Sequence, residues 1–158
     1  MDRVADPFMA EAIALAVENA RSGRGGPFAA LVVRDSVVIA RAVNLVTSAN
    51  DPTAHAEVLA IREACRILRD FRLTGCELYA TCEPCPMCLG AIYWARPDRV
   101  LFAATSRDAA DAGFDDHAIY GEIARPAERR VIPFVRHMRA EALAAFRAWR
   151  ERTDRRTY

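Results

Sequence analysis

The sequence predicts a three-layer α/β/α domain with a mixed central sheet and a C-terminal helix. Three observations lead there. Two apolar stretches joined by a short polar link read as a hairpin, which supplies antiparallel pairing. Strand and helix patterns then alternate, which calls for parallel pairing and a sheet covered on both faces. The chain has 158 residues, 53% of them hydrophobic, which suits one domain with a continuous core.

The elements follow in order. Residues 6–21 place Met9, Ala12, Ile13, Ala16, Val17 and Ala20 on one helical face. Ser22-Gly23-Arg24-Gly25-Gly26 ends that helix, because glycine readily adopts a left-handed cap. Phe28 to Val33 and Val37 to Leu45 are strands joined at Arg34-Asp35-Ser36. The link lacks the Asn-Gly or Asp-Gly pair of common hairpins, so its turn type stays open. Asp51-Pro52 predicts a second helix, with an acidic N-cap and proline at the first helical position. Val58, Ile61, Cys65 and Leu68 form its buried stripe. Leu78 to Thr81 is a short strand. Pro86 to Ala95 is apolar almost all round, which predicts a buried helix. Val100 to Ala104 is another strand, and residues 105–125 are helical or irregular. A last helix spans about residues 139–153, with Leu143, Phe146 and Trp149 inward.

The net charge of +1 gives no general electrostatic pull toward nucleic acid or anionic membranes. No apolar run approaches the roughly 20 residues that a spanning helix needs. Acidic residues near the N-terminus, with no signal-type apolar region after them, make the cytoplasm the expected location. The five cysteines are Cys65, Cys76, Cys82, Cys85 and Cys88. An odd count argues against a disulfide framework, and three in one short stretch suggest metal binding.

His55-Ala56-Glu57 stands near one predicted helix start, and Pro84-Cys85-Pro86-Met87-Cys88 at another. Cysteines three apart on a helix start face the same way, so both sulfurs reach one ion. A helix N-terminus also favours the thiolate, the form that binds metal. His55, Cys85 and Cys88 thus make a three-ligand Zn2+ site whose fourth position stays open for water, as catalytic zinc requires. Zinc lowers that water's pKa toward neutrality. Glu57, two residues past the histidine, is placed to shuttle protons. The pattern H-x-E…P-C-x-x-C is the signature of zinc-dependent nucleobase deamination. A structural site that also recruits Cys82 is the alternative, since Cys82, Cys85 and Cys88 form a double C-x-x-C.

On these motifs the chain resembles the cytidine and deoxycytidylate deaminase superfamily and, within it, the bacterial guanine-deaminating branch. The likeness rests on Gly25-Gly26-Pro27-Phe28, on residues 51–58, on residues 82–95, on Gly113-Phe114-Asp115-Asp116 and on the terminal Tyr158. It implies a single cytidine-deaminase-like domain over residues 1–158. It implies hydrolysis of a free nucleobase, guanine to xanthine plus ammonia, by zinc-bound hydroxide, with Glu57 passing the proton. It also implies substrate contacts from Phe28, Asn44, Ala56, Glu83, Asp116 and Tyr158. Asn44 would bind a purine edge by donating and accepting at once. Phe28 would wall the base, Ala56 and Glu83 would use main-chain groups, and Asp116 would accept from guanine N–H groups. A homodimer is implied, with about residues 135–158 exchanged so that Tyr158 closes the partner's pocket. Ala29, Ala42 and Ser36 depart from glycines common in such proteins.

Three rivals stand beside this reading. Deamination of adenosine in transfer RNA uses the same chemistry, but it needs a basic surface, and Asp115-Asp116 would repel a phosphate backbone. Guanosine, cytosine or an aminotriazine is a second possible substrate class. A zinc-stabilised binding module without turnover is the third.

Overall fold

The structure is a computed structural model that describes residues 6–158. It divides into two compact units, one ending at Asp116 and one spanning His117–Tyr158. The first unit runs α1 (Pro7–Ser22), β1 (Ala29–Arg34), β2 (Val37–Val43), α2 (Val46–Ala49), α3 (Ala56–Leu68), β3 (Cys76–Cys82), α4 (Pro86–Ala95), β4 (Arg99–Ala104) and α5 (Ser106–Asp111). The strand order is β2-β1-β3-β4. β1 pairs antiparallel with β2 and β3, and β3 pairs parallel with β4. The parallel pair is the one joined through a helix, as a crossover requires. The mixed sheet and its two helical layers match the prediction.

Alternation along β1 divides the core. Ala30 and Val32 pack with Ala56, Ala60 and Ala64 of α3 and with Ile92 and Ala95 of α4. Leu31 and Val33 face the other way, onto Ala12 of α1 and Tyr79 of β3. Alanines at four-residue spacing give α3 a ridge of small side chains, so its backbone lies close to the sheet.

In this unit three expectations about local structure change, and the turn type left open by the sequence is decided. The buried face of α1 is Ala12, Ala16 and Asn19, with Phe8, Met9 and Leu15 packed beside Ala12. Ile13 and Val17 are exposed. Apolar residues line two neighbouring stripes of this helix, and the stripe with the smaller alanines meets the sheet. The hairpin turn has Asp35 at φ 50° and Ser36 at φ 60°, a type I′ turn built without glycine. α3 begins at Ala56 rather than Pro52. The Asp51 carboxylate accepts from the Thr53 N–H at 2.8 Å and the Thr53 hydroxyl at 2.7 Å, so it closes a local turn instead of capping a helix. Finally, α4 buries only Cys88, Ile92 and Ala95. Tyr93 and Trp94 are 75% and 61% exposed, and Leu89 is exposed with them. One face meets α3 and the sheet, so an apolar-all-round helix leaves apolar side chains in solvent.

The second unit contains α6 (His117–Ala124), a 3-10 turn (Ala127–Arg129) and α7 (Arg139–Glu151). No residue from His117 onward is buried. Leu143 is half-buried, while Phe146 and Trp149 are exposed, contrary to the inward placement predicted. A segment this short cannot enclose a core of its own.

Candidate active site

Two helix starts carry the chemistry. His55 is the N-cap of α3 at φ −73°, ψ 149°, and Cys85 is the N-cap of α4 at φ −65°, ψ 168°. Pro86 follows at the first helical position, where its missing N–H costs nothing. Cys88 is two residues further on and fully buried. The first-turn N–H groups of a helix lack intrahelical acceptors, so each start presents partial positive charge.

The His55 Nδ1 lies 3.5 Å from the Cys85 Sγ and 3.5 Å from the Cys88 Sγ. All three ligand atoms fall within 4.8 Å of one another. A tetrahedral ion with Zn–S near 2.3 Å and Zn–N near 2.0 Å sets nitrogen and sulfur about 3.6 Å apart. The donor set and its spacing therefore fit zinc. The Cys85 thiol is pulled down to about 4, first by the Cys88 S–H donating to it and then by His55. Cys88 is pushed the other way, first because its S–H donates to Cys85 and then by burial, with the negative charges of Glu57 and Cys85 adding to both. A divalent cation removes that conflict and lets both sulfurs ligate.

Glu57 stands one residue into α3, is buried, and hydrogen-bonds Cys88. Burial raises its carboxyl above the usual range, so the group holds a proton more readily than a solvated glutamate. Cys82 ends β3, outside the ligand group. Its Sγ lies 3.4 Å from the Thr105 carbonyl oxygen, and burial raises its thiol to about 11. The double C-x-x-C therefore splits, with two cysteines at the cluster and one on a strand.

The other sequence-predicted residues are placed as follows. Asp116 is half-buried and interacts electrostatically with His55 and Cys85, and desolvation raises its carboxyl. Phe28 packs against the core and meets the Phe114 ring edge-on, with centroids 4.9 Å apart at 85°. Asn44 is buried, and its Oδ1 accepts from the N–H groups of Gly26 and Val46 at 3.3 and 3.2 Å. That leaves Nδ2 to act as a donor, so the two-way role expected of its amide narrows. The Glu83 N–H donates to the Ala104 carbonyl at 2.9 Å, which leaves its carbonyl as the main-chain group to offer. Its side chain accepts from the Ser106 N–H and so ties α5 to the start of α4. Ala56 has no exposed surface and occupies the first helical position of α3. Tyr158 is 71% exposed in the second unit.

Sequence reasoning missed the ring contact of Phe114 with Phe28 and the side-chain role of Glu83. It also missed Asn19, a polar residue spaced at i+7 and i+3 from the buried Ala12 and Ala16. Polarity at a core position of an amphipathic helix was the available signal.

A sheet that feeds two helix N-termini into a His-Cys-Cys cluster beside a buried glutamate defines a zinc-dependent deaminase. Residues 3–104 match the family model for the cytidine and deoxycytidylate deaminase zinc-binding region, and the chain belongs to that family. It is 54% identical to the guanine deaminase of Bacillus subtilis (strain 168) over 153 residues, covering 97% of this chain and 98% of that protein. It is 48% identical to the tRNA-specific adenosine deaminase of Aquifex aeolicus (strain VF5) over 51% of this chain and 54% of that one. Among solved structures, the Bacillus subtilis guanine deaminase superposes with a TM-score of 0.93 over 96% of both chains. The guanine deaminase of Nitrosomonas europaea does so at 0.67 and 34% identity, over 72% of this chain and 66% of that one.

Proposed function

We propose that this protein hydrolyses free guanine to xanthine and ammonia. The observation that carries the reading is the likeness to a guanine deaminase over 97% of the chain, which includes the residues beyond the zinc-binding region. The likeness to a transfer-RNA deaminase spans about half of this chain, and the net charge of +1 gives no overall positive field to draw RNA.

Zinc held by His55, Cys85 and Cys88 supplies a water acidic enough to react near neutral pH. Glu57 would take a proton from the water that adds to C2 of the purine. It would pass that proton to N3, then take the proton of the hydroxyl added at C2 and deliver it to the amine, so that C–N cleavage leaves a carbonyl and ammonia. Burial suits the residue to this work, because a carboxyl with a raised pKa both accepts and returns a proton. Asn44 donates through Nδ2 to the base, and Asp116 accepts from its N–H groups. Phe28 forms the wall against the ring, while Ala56 and Glu83 offer main-chain groups to the reacting edge.

The active form is a cytoplasmic homodimer. Segments from about residue 135 are exchanged, so that Tyr158 closes the partner's pocket. Two features support this: the second unit buries no residue, and α4 exposes Leu89, Tyr93 and Trp94, an apolar face of the kind that meets another protein. Among the described residues, no helix is long and apolar enough to cross a membrane.

The test is ammonia release from guanine, guanosine, adenine, cytosine and an aminotriazine, with xanthine identified as the product. Turnover of guanine alone is the expected result. Turnover of adenine alone, or only of transfer RNA, refutes the assignment.

A further inference from the structure

We infer that Asn19 is the residue that positions the base-binding wall. This inference rests on the proposed role of Asn44 in holding the purine. Asn19 lies on α1, outside every motif of the site, and is 0% exposed. Its Nδ2 donates to the Gly26 carbonyl at 2.9 Å and to the Asn44 carbonyl at 2.8 Å. One amide group thus clamps the two chain segments that form the wall.

The segments are locked to each other as well. The Gly26 N–H donates to the Asn44 Oδ1, and the Asn44 N–H donates to the Phe28 carbonyl at 2.9 Å. A Cβ added at Gly25 would sit 2.0 Å from the Asn44 carbonyl oxygen, so the backbones touch. One added at Gly26 would press on the Phe28 ring at 3.2 Å. Asn19, Gly25, Gly26, Phe28 and Asn44 therefore form one connected unit. Moving the Asn44 backbone rotates the amide that meets the base.

The clamp carries a cost in the other half of the Asn19 amide. Among the described residues, its Oδ1 is the one buried side-chain polar atom with no hydrogen-bond partner. A buried orphan acceptor destabilises a fold. An apolar residue would avoid that orphan but would take the donor away from the Gly26 and Asn44 carbonyls. What it could not do is donate two hydrogen bonds from one nitrogen to two carbonyls that must stay in register.

The test uses full-length, zinc-loaded protein and the variants Asn19→Ala, Asn19→Asp, Asn44→Ala and Asn19→Ala/Asn44→Ala. Zinc content and circular dichroism confirm the fold of each. Asn19→Ala is expected to raise KM for guanine by about tenfold, the worth of one hydrogen bond to the substrate, with kcat changed less than about threefold. Asn19→Asp keeps the volume but turns an acceptor toward the two carbonyls, so its KM rises further. The double variant is expected to show no larger KM than Asn44→Ala alone, because Asn19 acts through Asn44. Unchanged KM in both Asn19 variants overturns the inference, as does an additive double variant. Failure of both Asn19 variants to fold with zinc overturns it too, and makes the residue scaffold. If wild type does not turn over guanine, or Asn44→Ala leaves KM unchanged, the underlying reading fails and the inference falls with it. Those arms contain no Asn19 substitution, so the two failures are distinguishable.

Discussion

Replacing Glu57 with glutamine separates holding zinc from moving protons. Glu57 is buried and hydrogen-bonded to Cys88, but it is not among the three side chains that could hold the metal. Glutamine has the same shape, and its amide N–H can still donate to a Cys88 thiolate, so zinc is expected at one per chain. What disappears is the proton carrier. General acid–base catalysis by one positioned group contributes about 10²–10⁴-fold, or about 2.7–5.4 kcal/mol of barrier at 1.36 kcal/mol per tenfold. The proposed reaction uses Glu57 twice, at N3 and at the leaving amine. The loss in kcat is therefore expected in the upper part of that range, about 10³–10⁴-fold. Ammonia release at saturating guanine measures it, beside zinc analysis of the same sample. A Glu57→Gln enzyme that keeps more than about 1% of wild-type kcat with full zinc, a loss below the range for such catalysis, refutes the shuttle.

Other outcomes follow from the same geometry. Chelation, or Cys88→Ser, abolishes activity and lowers the melting temperature; zinc at 100 times its Kd stabilises the native state by about 2.7 kcal/mol, and adding zinc back restores the chelated wild type. Ser36→Gly relieves a left-handed residue at φ 60° and stabilises the fold by about 0.5–1 kcal/mol in urea titrations, with activity unchanged. Leu31→Ala empties a fully buried position between β1 and α1 and costs about 2–5 kcal/mol, read as a lower urea midpoint.

The sequence by itself determined the chemistry. A ligating histidine or cysteine pair is defined by residue type and helical spacing, both local properties, so His55, Glu57, Cys85 and Cys88 were legible before any fold was known. The strands were legible for the same reason, because a continuous apolar run such as β1, buried on both faces, stands out between polar links. Tertiary structure decided what depends on the surroundings. Asp51 and Pro52 carry a helix-start pattern, yet the Asp51 carboxylate binds Thr53 and the helix waits for His55. That delay makes the ligand an N-cap rather than a mid-helix residue. The apolar residues of α4 and α7 predicted burial, but burial requires a surface to pack against, and within this chain Tyr93, Trp94 and Phe146 remain exposed. Asn44 carried a purine-binding expectation in the sequence, and only the fold shows its oxygen already taken by Gly26 and Val46. Asn19 carried no expectation at all. Its meaning comes from two carbonyls, 7 and 25 residues away in the chain, and no local pattern can bring those together.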